Sequence, residues 1–235
     1  MKNILYALLL LSLIFSCADD KKNDLTRHNL NGNVKSTYEV SFEAIEKFGE
    51  ITKGSNRQKY YIDNFEQWHV QNEYDDNGNR IERNIYSSDG ELIFKYICEH
   101  DDNGNSIEQN RYNSEGKLDE KWTSKFDAKG NEIKSNLFNS ESKLVSKYTF
   151  EYDDKENMIE MNYYNYDDEL ISIMTYEFDD NGNLIEENKY DKDGELEDEF
   201  SYEYKFDDKE NWIQKTIFED DKPTFIIERE IKYYD

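Results

Sequence analysis

Short runs of alternating apolar and polar residues, separated by turns, fill most of the chain. In the first run, from Val34 to Phe42, every second residue is apolar or small and the residues between them are mostly polar. Successive side chains of a β-strand point to opposite faces, so this alternation indicates a half-buried strand. We expect Val34 and Tyr38 on its buried face, with Thr37 and Glu39 on the wet face.

From residue 75 onward, the runs belong to a repeat of 26 residues with a last step of 28. The repeats start near residues 75, 101, 127, 153, 179 and 207. Each repeat divides into two halves of one strand and one turn, and an aromatic residue usually closes the strand. Asn-Gly and Asp-Gly pairs in the turns supply the positive φ that tight hairpins need. The fixed period therefore predicts a repeat architecture of antiparallel hairpins.

Two features of the repeats depart from regular hairpins. Four turns lack the glycine, so they are either looser or hold another residue at positive φ at some cost; they carry Ser142, Glu156, Asp168 and Glu210. In addition, Ile81 and Tyr86 are five residues apart, which in a regular strand would place them on opposite faces. A bulge near the turn could restore a single face.

The number of strands predicts how the sheet must curve. Thirteen turns between Asp63 and Lys222 make fourteen short strands, and the strand Val34–Phe42 adds one more. Open sheets rarely exceed about ten strands, and a flat ribbon would expose the face formed by Leu92, Tyr96 and their repeat equivalents. We predict an all-β antiparallel meander of about 15 short strands, curled into a spiral or barrel-like sheet or folded into two layers, with that face inside.

The segment Tyr74–Ile81 (YDDNGNRI) resembles the YD-repeat, or RHS-type, motif, and Phe178–Ile185 matches it as well. The resemblance covers roughly residues 60–235 and returns in register six times. In that family the repeats coil antiparallel strands into a spiral shell, which in large toxins encloses a cargo domain. This chain has too few strands for such a shell and no toxin domain, so the resemblance implies a small bacterial lipoprotein of the family. The MORN repeat, a second family of short hairpins, has a shorter unit.

Residues 1–16 have the form of a bacterial export signal, with an apolar stretch from Ile4 to Phe15 that is too short to span a bilayer. The following Cys17 completes a sequence that resembles a lipobox, although Phe15 departs from the usual residue, and an ordinary secretory signal is the alternative. We expect acyl chains on Cys17 to hold the protein at a membrane. Residues 17–33 are predicted to be a flexible tether and residues 34–235 a single β repeat domain. The expected location is the cell envelope, as an outer-membrane lipoprotein facing the periplasm or the cell surface.

The composition excludes several classes of partner. A formal net charge of −25 leaves no cationic face for nucleic acid or for anionic lipid headgroups. Aromatic residues make up 15% of the chain, too many for a disordered acidic tail, so the acids form a solvated coat around a core. Cys98 shares a strand face with Tyr96 and is expected to be a small buried hydrophobe.

No residue pattern typical of catalysis is present, so we predict neither an enzyme nor a cofactor or metal. His28 and His69 are isolated, and His100 replaces a ring of the repeat. Ca²⁺ binding through the Asp/Asn turns is an alternative, although their spacing is not that of an EF-hand and these residues favour turns in any case. Trp68 and Trp212 break the repeat pattern, with Trp212 expected to point outward, and they are the best candidates for an aromatic ligand platform.

The expected function is binding or scaffolding without catalysis, for a protein partner or a polysaccharide. The protein partner is favoured because the strands Val34–Phe42 and Thr224–Asp235 are predicted to be open sheet edges that can pair with another chain. A structural coat protein without a discrete ligand is the competing class. The oligomeric state is open.

Overall fold

The computed structural model describes residues 22–56, 60–62, 65–67 and 69–235. In these ranges the chain forms one short helix, α1 (Asp24–Arg27), and seventeen strands. The strands are β1 (Val34–Lys47), β2 (Glu50–Asn56), β3 (Tyr60–Ile62), β4 (Phe65–Gln67), β5 (His69–Tyr74), β6 (Arg80–Tyr86), β7 (Leu92–His100), β8 (Ser106–Asn113), β9 (Leu118–Phe126), β10 (Glu132–Asn139), β11 (Leu144–Tyr152), β12 (Met158–Asn165), β13 (Leu170–Phe178), β14 (Leu184–Asp191), β15 (Leu196–Phe206), β16 (Trp212–Glu219) and β17 (Lys222–Tyr233). The export signal, Cys17 and Trp68 lie outside the described residues.

The main sheet is an antiparallel meander of 15 strands, as predicted, and it closes on itself. Each strand from β5 to β17 pairs with its neighbour in the chain, and β17 then pairs with β1, from Val34 opposite Tyr233 to Glu43 opposite Phe225. Fourteen strands therefore form a barrel, while β2 pairs only with the end of β1 and β3 pairs with β4 in a separate hairpin. The two predicted open edges pair with each other, so the prediction that they are free to bind another chain was wrong.

In the first strand of each repeat, the pairing skips one residue just after the turn. Tyr74 pairs with Arg80, whereas the residue before Tyr74 pairs with Glu82, so Ile81 is an extra residue. A bulge of this kind returns side chains at odd spacing to one face. The predicted bulge is confirmed, and it places Ile81 and Tyr86 together on the outer face, where Ile81 is 43% exposed.

A second bulge follows the other turn of each repeat and reverses the predicted position of the leucines. Leu92 pairs with Tyr86, whereas Ile85 pairs with a residue two positions further along β7. Leu92 therefore shares the outer face with Tyr86, while Ile85 is buried inside at 2% exposure. The equivalent Leu118 and Leu196 are 39% and 52% exposed. The prediction that these leucines face the interior was wrong, because alternation alone does not show where a bulge resets the faces.

The two faces of β1 are also the reverse of the prediction. Thr37 and Ser41 are buried at 1% and 7% exposure, and Glu39 lies between them on the same inner face. A register shift between Val34 and Ser36 lets Val34 remain buried while the residues after it change sides. This strand consequently contributes polar side chains to the interior of the barrel.

The turns hold their tight geometry with or without glycine. Ser142, Glu156, Asp168 and Glu210 have φ angles of 60°, 67°, 65° and 64°. Of the two predicted possibilities, the one with a non-glycine residue at positive φ is therefore confirmed, at a cost of about 1–2 kcal/mol per residue.

Residues 22–33, which we call the cap, fold over one mouth of the barrel. Asn23 begins α1 with a capping box, in which its side chain accepts the N–H of Thr26 while the Thr26 hydroxyl accepts the N–H of Asn23. Leu25 and Leu30 are each 6% exposed and pack with Val34 and Tyr74. For residues 22–33 the predicted flexible tether was wrong, because a polar segment without apolar periodicity gave no sign of these tertiary contacts.

Candidate functional site

The cap is held by the Asp/Asn turns that surround the mouth of the barrel. Its side chains and backbone make hydrogen bonds to the first turns of five of the six repeats around the rim, and Lys22 forms an ion pair with Glu156 in the first turn of the remaining repeat. The bonds are Asn23 Nδ2 to Asn77 O (2.7 Å), Arg27 Nη1 to Gly104 O (2.9 Å), Arg27 Nη2 to Asn105 Oδ1 (2.6 Å), Lys22 Nζ to Asn131 Oδ1 (2.7 Å), Asn29 Nδ2 to Asn183 Oδ1 (3.0 Å) and Asn31 N to Asn211 Oδ1 (2.7 Å). The asparagines whose side chains accept these bonds each follow the turn glycine or the residue that replaces it. They therefore bind the cap as well as closing the hairpins.

Asp24 joins the cap to the inner wall. It is 4% exposed, its Oδ2 lies 2.8 Å from Nε2 of His100, and the same oxygen accepts the N–H of Arg80 at 2.8 Å. Burial alone would raise the pKa of Asp24, but the bond to His100 and the charge of Arg80 outweigh it, so this pKa is well below its usual range. His100 stands at the ring position of the repeat, as expected, but its role in holding the cap was not predicted.

Beneath the cap, strands β8 to β13 line a cavity of about 850 Å³. Its walls carry seven aromatic rings: Trp122, Phe126, Tyr148, Phe150, Tyr152, Tyr163 and Phe178. Leu137, Met158 and Met161 complete the apolar surface, and Ser106, Ser124, Ser135 and Ser146 supply hydroxyl groups. A concave, mainly aromatic space with few convergent polar groups is the usual form of a small-molecule site.

The inner wall also concentrates the arginines of an acidic chain. All five arginines of the described residues lie in the cap or inside the barrel, where a guanidinium is more easily desolvated than an ammonium; they are Arg27, Arg80, Arg83, Arg111 and Arg229. Arg111 is 3% exposed and pairs with Asp119 and Glu120. Arg229 bonds Glu39 through Nε (2.8 Å) and Nη2 (2.7 Å).

Glu132 is the acid of the cavity wall whose own partners are neutral. The hydroxyls of Ser124 and Ser135 favour its charged form, and it forms no ion pair within the described part of the chain. Burial raises the pKa of Glu132, and these two serines only partly offset that effect. The phenol of Tyr152 donates to the backbone oxygen of Glu132 at 2.9 Å, and burial raises the pKa of Tyr152 to about 12.

His28 of the cap projects into the same cavity. Its ring is open to the cavity but surrounded by protein, and burial together with the charge of Arg80 lowers the pKa of His28 to about 4. The imidazole is therefore neutral at neutral pH and adds no positive charge to the site.

Of the tryptophan and cysteine residues singled out in the sequence, Trp212 and Cys98 lie within the described part of the chain. Trp212 lies on the opposite face of the strand from Ile213, as expected, but that face is the inner one. The guanidinium of Arg229 lies 3.2 Å from the ring centre of Trp212, and Tyr204 lies beside the ring. The expectation of an outward platform at Trp212 was therefore wrong. Trp68 and Cys17 lie outside the described residues. Cys98 is buried at 8% exposure, which confirms the expected small buried hydrophobe.

The Asp residues that open the turns are engaged by the turns themselves. The Oδ1 atom of Asp75 accepts the N–H groups of Asn77 and Asn79 at 3.0 and 2.8 Å, and the same pattern recurs at Asp101, Asp127, Asp179 and Asp207. Within the described residues, no three or more acid, His or Cys side chains gather into a possible metal site. These contacts give the acids a role in turn geometry.

Glu132 was missed at the sequence level, although the repeat contained a signal. The position after the turn asparagine faces the interior at the capped mouth, and it differs in every copy, carrying Arg80, Ser106, Glu132, Met158, Leu184 and Trp212. Positions that serve the repeated fold keep their chemistry, whereas this one does not. A position that varies within an otherwise regular repeat is therefore the place to look for a site.

No helix among the described residues has the length and apolar character needed to cross a membrane. No protein-family model matches the chain, and no curated protein does.

Solved structures show weak similarity. A porin-like protein from Bacteroides uniformis has 10% identity and a TM-score of 0.47, with 86% of this chain and 99% of that chain covered. A porin-like protein from Bacteroides vulgatus has 12% identity and a TM-score of 0.45, with 87% and 99% covered. A TcdB2-TccC3-Cdc42 structure has 10% identity and a TM-score of 0.30, with 83% of this chain and 11% of that chain covered. These similarities are too low to assign a family or a function.

Proposed function

We propose that the protein is a non-enzymatic binding module of the bacterial cell envelope whose ligand occupies the interior of the barrel. The observation that carries this proposal is the ring-lined cavity of about 850 Å³ beneath the cap. Its volume lies within the range of small-molecule sites, roughly 300–1,000 Å³. A coat protein without a ligand has no need of such a space.

The closed barrel changes which kind of partner is favoured. Pairing of β1 with β17 removes the open edges on which a protein partner was expected to add a strand. A ligand that enters the barrel, such as a small molecule or the end of a polysaccharide chain, takes its place in the proposal.

The outer wall supports a barrel surrounded by water. At mid-height, Glu82 pairs with Lys95 at 2.5 Å and accepts a hydrogen bond from Asn84, and Glu108 pairs with Lys121 at 2.5 Å in the next repeat. Charges on a lipid-facing wall cost roughly 2–4 kcal/mol each at the bilayer midplane. We therefore place the barrel beside a membrane, where acyl chains on Cys17 would hold it in the manner of a small YD-repeat lipoprotein.

With this anchor, the position of the cap supports one orientation of the barrel. Five chain steps separate Cys17 from Lys22, and an extended chain covers at most about 3.6 Å per step, or roughly 18 Å. The capped mouth would lie close to the membrane, with the hairpin of β1 and β2 at the far end. Fractionation of cells and protease treatment of intact cells, each with a Cys17→Ala control, test the anchor and its face.

The internal site is tested by filling it. Ser135 is 6% exposed on the inner wall, so Ser135→Phe occupies the cavity, whereas Asn136→Phe places the same ring on the outer wall. A thermal-shift screen of neutral, cationic and anionic small molecules and of oligosaccharides should find a ligand that stabilises the wild type and the Asn136→Phe variant but not Ser135→Phe. Equal stabilisation of both variants, or no ligand in any class, would reject the internal site.

A further inference from the structure

The acids around the cavity are already paired, with one exception among the described residues. Glu120 pairs with Arg111 at 2.9 Å, and Glu156 pairs with Lys22 at 2.6 Å. Asp24 is bonded to His100 and to Arg27. Glu132 lines the cavity and forms no ion pair among the described residues, so it is the acid on this wall that a bound cation can neutralise.

The surroundings of Glu132 are those that favour an organic cation. Phe126 is its cross-strand neighbour, and the phenol of Tyr152 bonds its backbone oxygen. Aromatic faces attract cations, more strongly when the site is desolvated, and cages of such rings bind quaternary ammonium groups. The apolar part of the same molecule can lie against Met158 and Met161 further along the wall.

The cap shows that this wall accepts a cation. The guanidinium of Arg27 lies 5.3 Å from the ring centre of Phe126, and its charge acts on Glu132. Arg27 is committed elsewhere, however, because its Nη1 atom lies 3.2 Å from Asp24 and 2.9 Å from the carbonyl oxygen of Gly104. The rings of Tyr148 and Tyr163, stacked at 5.2 Å between centres, also line the cavity.

We propose that the cavity binds an organic cation with an apolar or aromatic body, such as an amine or a quaternary ammonium compound, and that Glu132 is the carboxylate that pairs with it. This inference rests on the proposed internal site. The net charge of −25 favours the approach of cations to the protein from solvent.

Three probes of one shape and different charge test the proposal on the wild-type protein: phenethylamine, phenethyl alcohol and phenylacetate. Calorimetric titration should give the amine at least about ten-fold tighter binding than the alcohol, with phenylacetate weakest. The proposal is overturned if phenylacetate binds best of the three probes, or if a neutral trisaccharide of glucose binds more tightly than the amine.

Two matched variants assign the effect to one carboxylate. Glu132→Gln should bring the amine and the alcohol to nearly equal affinity, with most of the change in the binding of the amine. Glu120→Gln, which removes the acid already paired with Arg111, should keep the preference for the amine. A Glu132→Gln protein that keeps the full preference refutes the assignment, and the charge order on the wild type tests the ligand class even if a variant fails to fold.

The outcomes also separate this inference from the proposed function. If amine and alcohol bind equally and Ser135→Phe abolishes both, the internal site stands and the cationic ligand is rejected. If no probe binds and no other ligand class depends on Ser135, both proposals are rejected together.

Discussion

The Nε2 atom of His100 lies 2.8 Å from Oδ2 of Asp24, which ties the inner wall to the cap. We expect Asp24→Ala to destabilise the protein by about 3 kcal/mol, because it leaves His100 and the N–H of Arg80 without their buried acceptor. Trypsin cleavage after Arg27 should become faster as the cap detaches. Asp76→Ala, at an exposed turn position, is the control and should change neither measurement.

Acidification should weaken the cap through His28. Burial and the neighbouring Arg80 lower the pKa of His28 from 6.5 to about 4, with Arg83 and Arg229 adding to the effect and Asp24 opposing it. Because the folded-state pKa lies below the unfolded one, the unfolded chain binds the proton first, so stability falls as pH drops from about 6.5 to about 4.

Melting temperatures at pH 7 and pH 5 check this expectation. The decrease between the two should be larger for the wild type than for His28→Gln, in which the titrating group is absent. Equal decreases in both proteins would show that other groups cause the acid sensitivity. The low pKa of Asp24 acts separately, since the stability it provides is lost only below its unfolded value of 3.8.

A glycine at the capped mouth should matter more than its counterpart at the other mouth. Gly78 and Gly90 both have φ of 81°, so alanine costs roughly 1 kcal/mol of backbone strain at either site. At Gly78 the added Cβ would also lie 2.5 Å from Nδ2 of Asn23 in the cap, whereas at Gly90 nothing lies within 4 Å. Denaturant unfolding should show the larger loss for Gly78→Ala, together with faster trypsin cleavage at Arg27 for that variant alone.

The sequence predicted the meander, the turns and the curvature because these depend on local chemistry repeated many times. Asn-Gly turns and alternating strands need no knowledge of distant contacts. The inward and outward faces were partly wrong because the bulge after Leu92 and the register shift between Val34 and Ser36 each exchange the faces, whereas the bulge at Ile81 was predicted. Closure of the barrel was left open among several forms of curvature, since the pairing of Val34 with Tyr233 joins residues at opposite ends of the domain.

The candidate site was less accessible to prediction than the fold. The rings of β9 to β12 were identified as core, and their spacing gives no measure of the space left between them. The cap was read as a tether because its contacts, such as Arg27 with Asn105, depend on tertiary structure and leave no periodic pattern. Glu132 was one acid among 54 acidic residues until the fold showed it inside the barrel.

The ion pair between Arg229 and Glu39 should be worth far more than an exposed pair nearby. The side chains are 10% and 19% exposed, and both Nε and Nη2 of Arg229 bond the same carboxylate oxygen. Burial alone would raise the pKa of Glu39, but Arg229 and Lys215 outweigh it and hold this pKa below its usual range.

Glu39→Gln leaves the buried guanidinium of Arg229 without its counter-charge, so we expect a loss of about 3–5 kcal/mol in the free energy of unfolding. The pair of Lys53 with Glu228 is 43% and 39% exposed, and Glu228→Gln should cost less than about 1 kcal/mol. Urea unfolding at neutral pH measures both variants. Similar losses would mean that water reaches Arg229 within the barrel, whereas the expected difference means that β1 and β17 are joined by a desolvated ion pair as well as by their backbone hydrogen bonds.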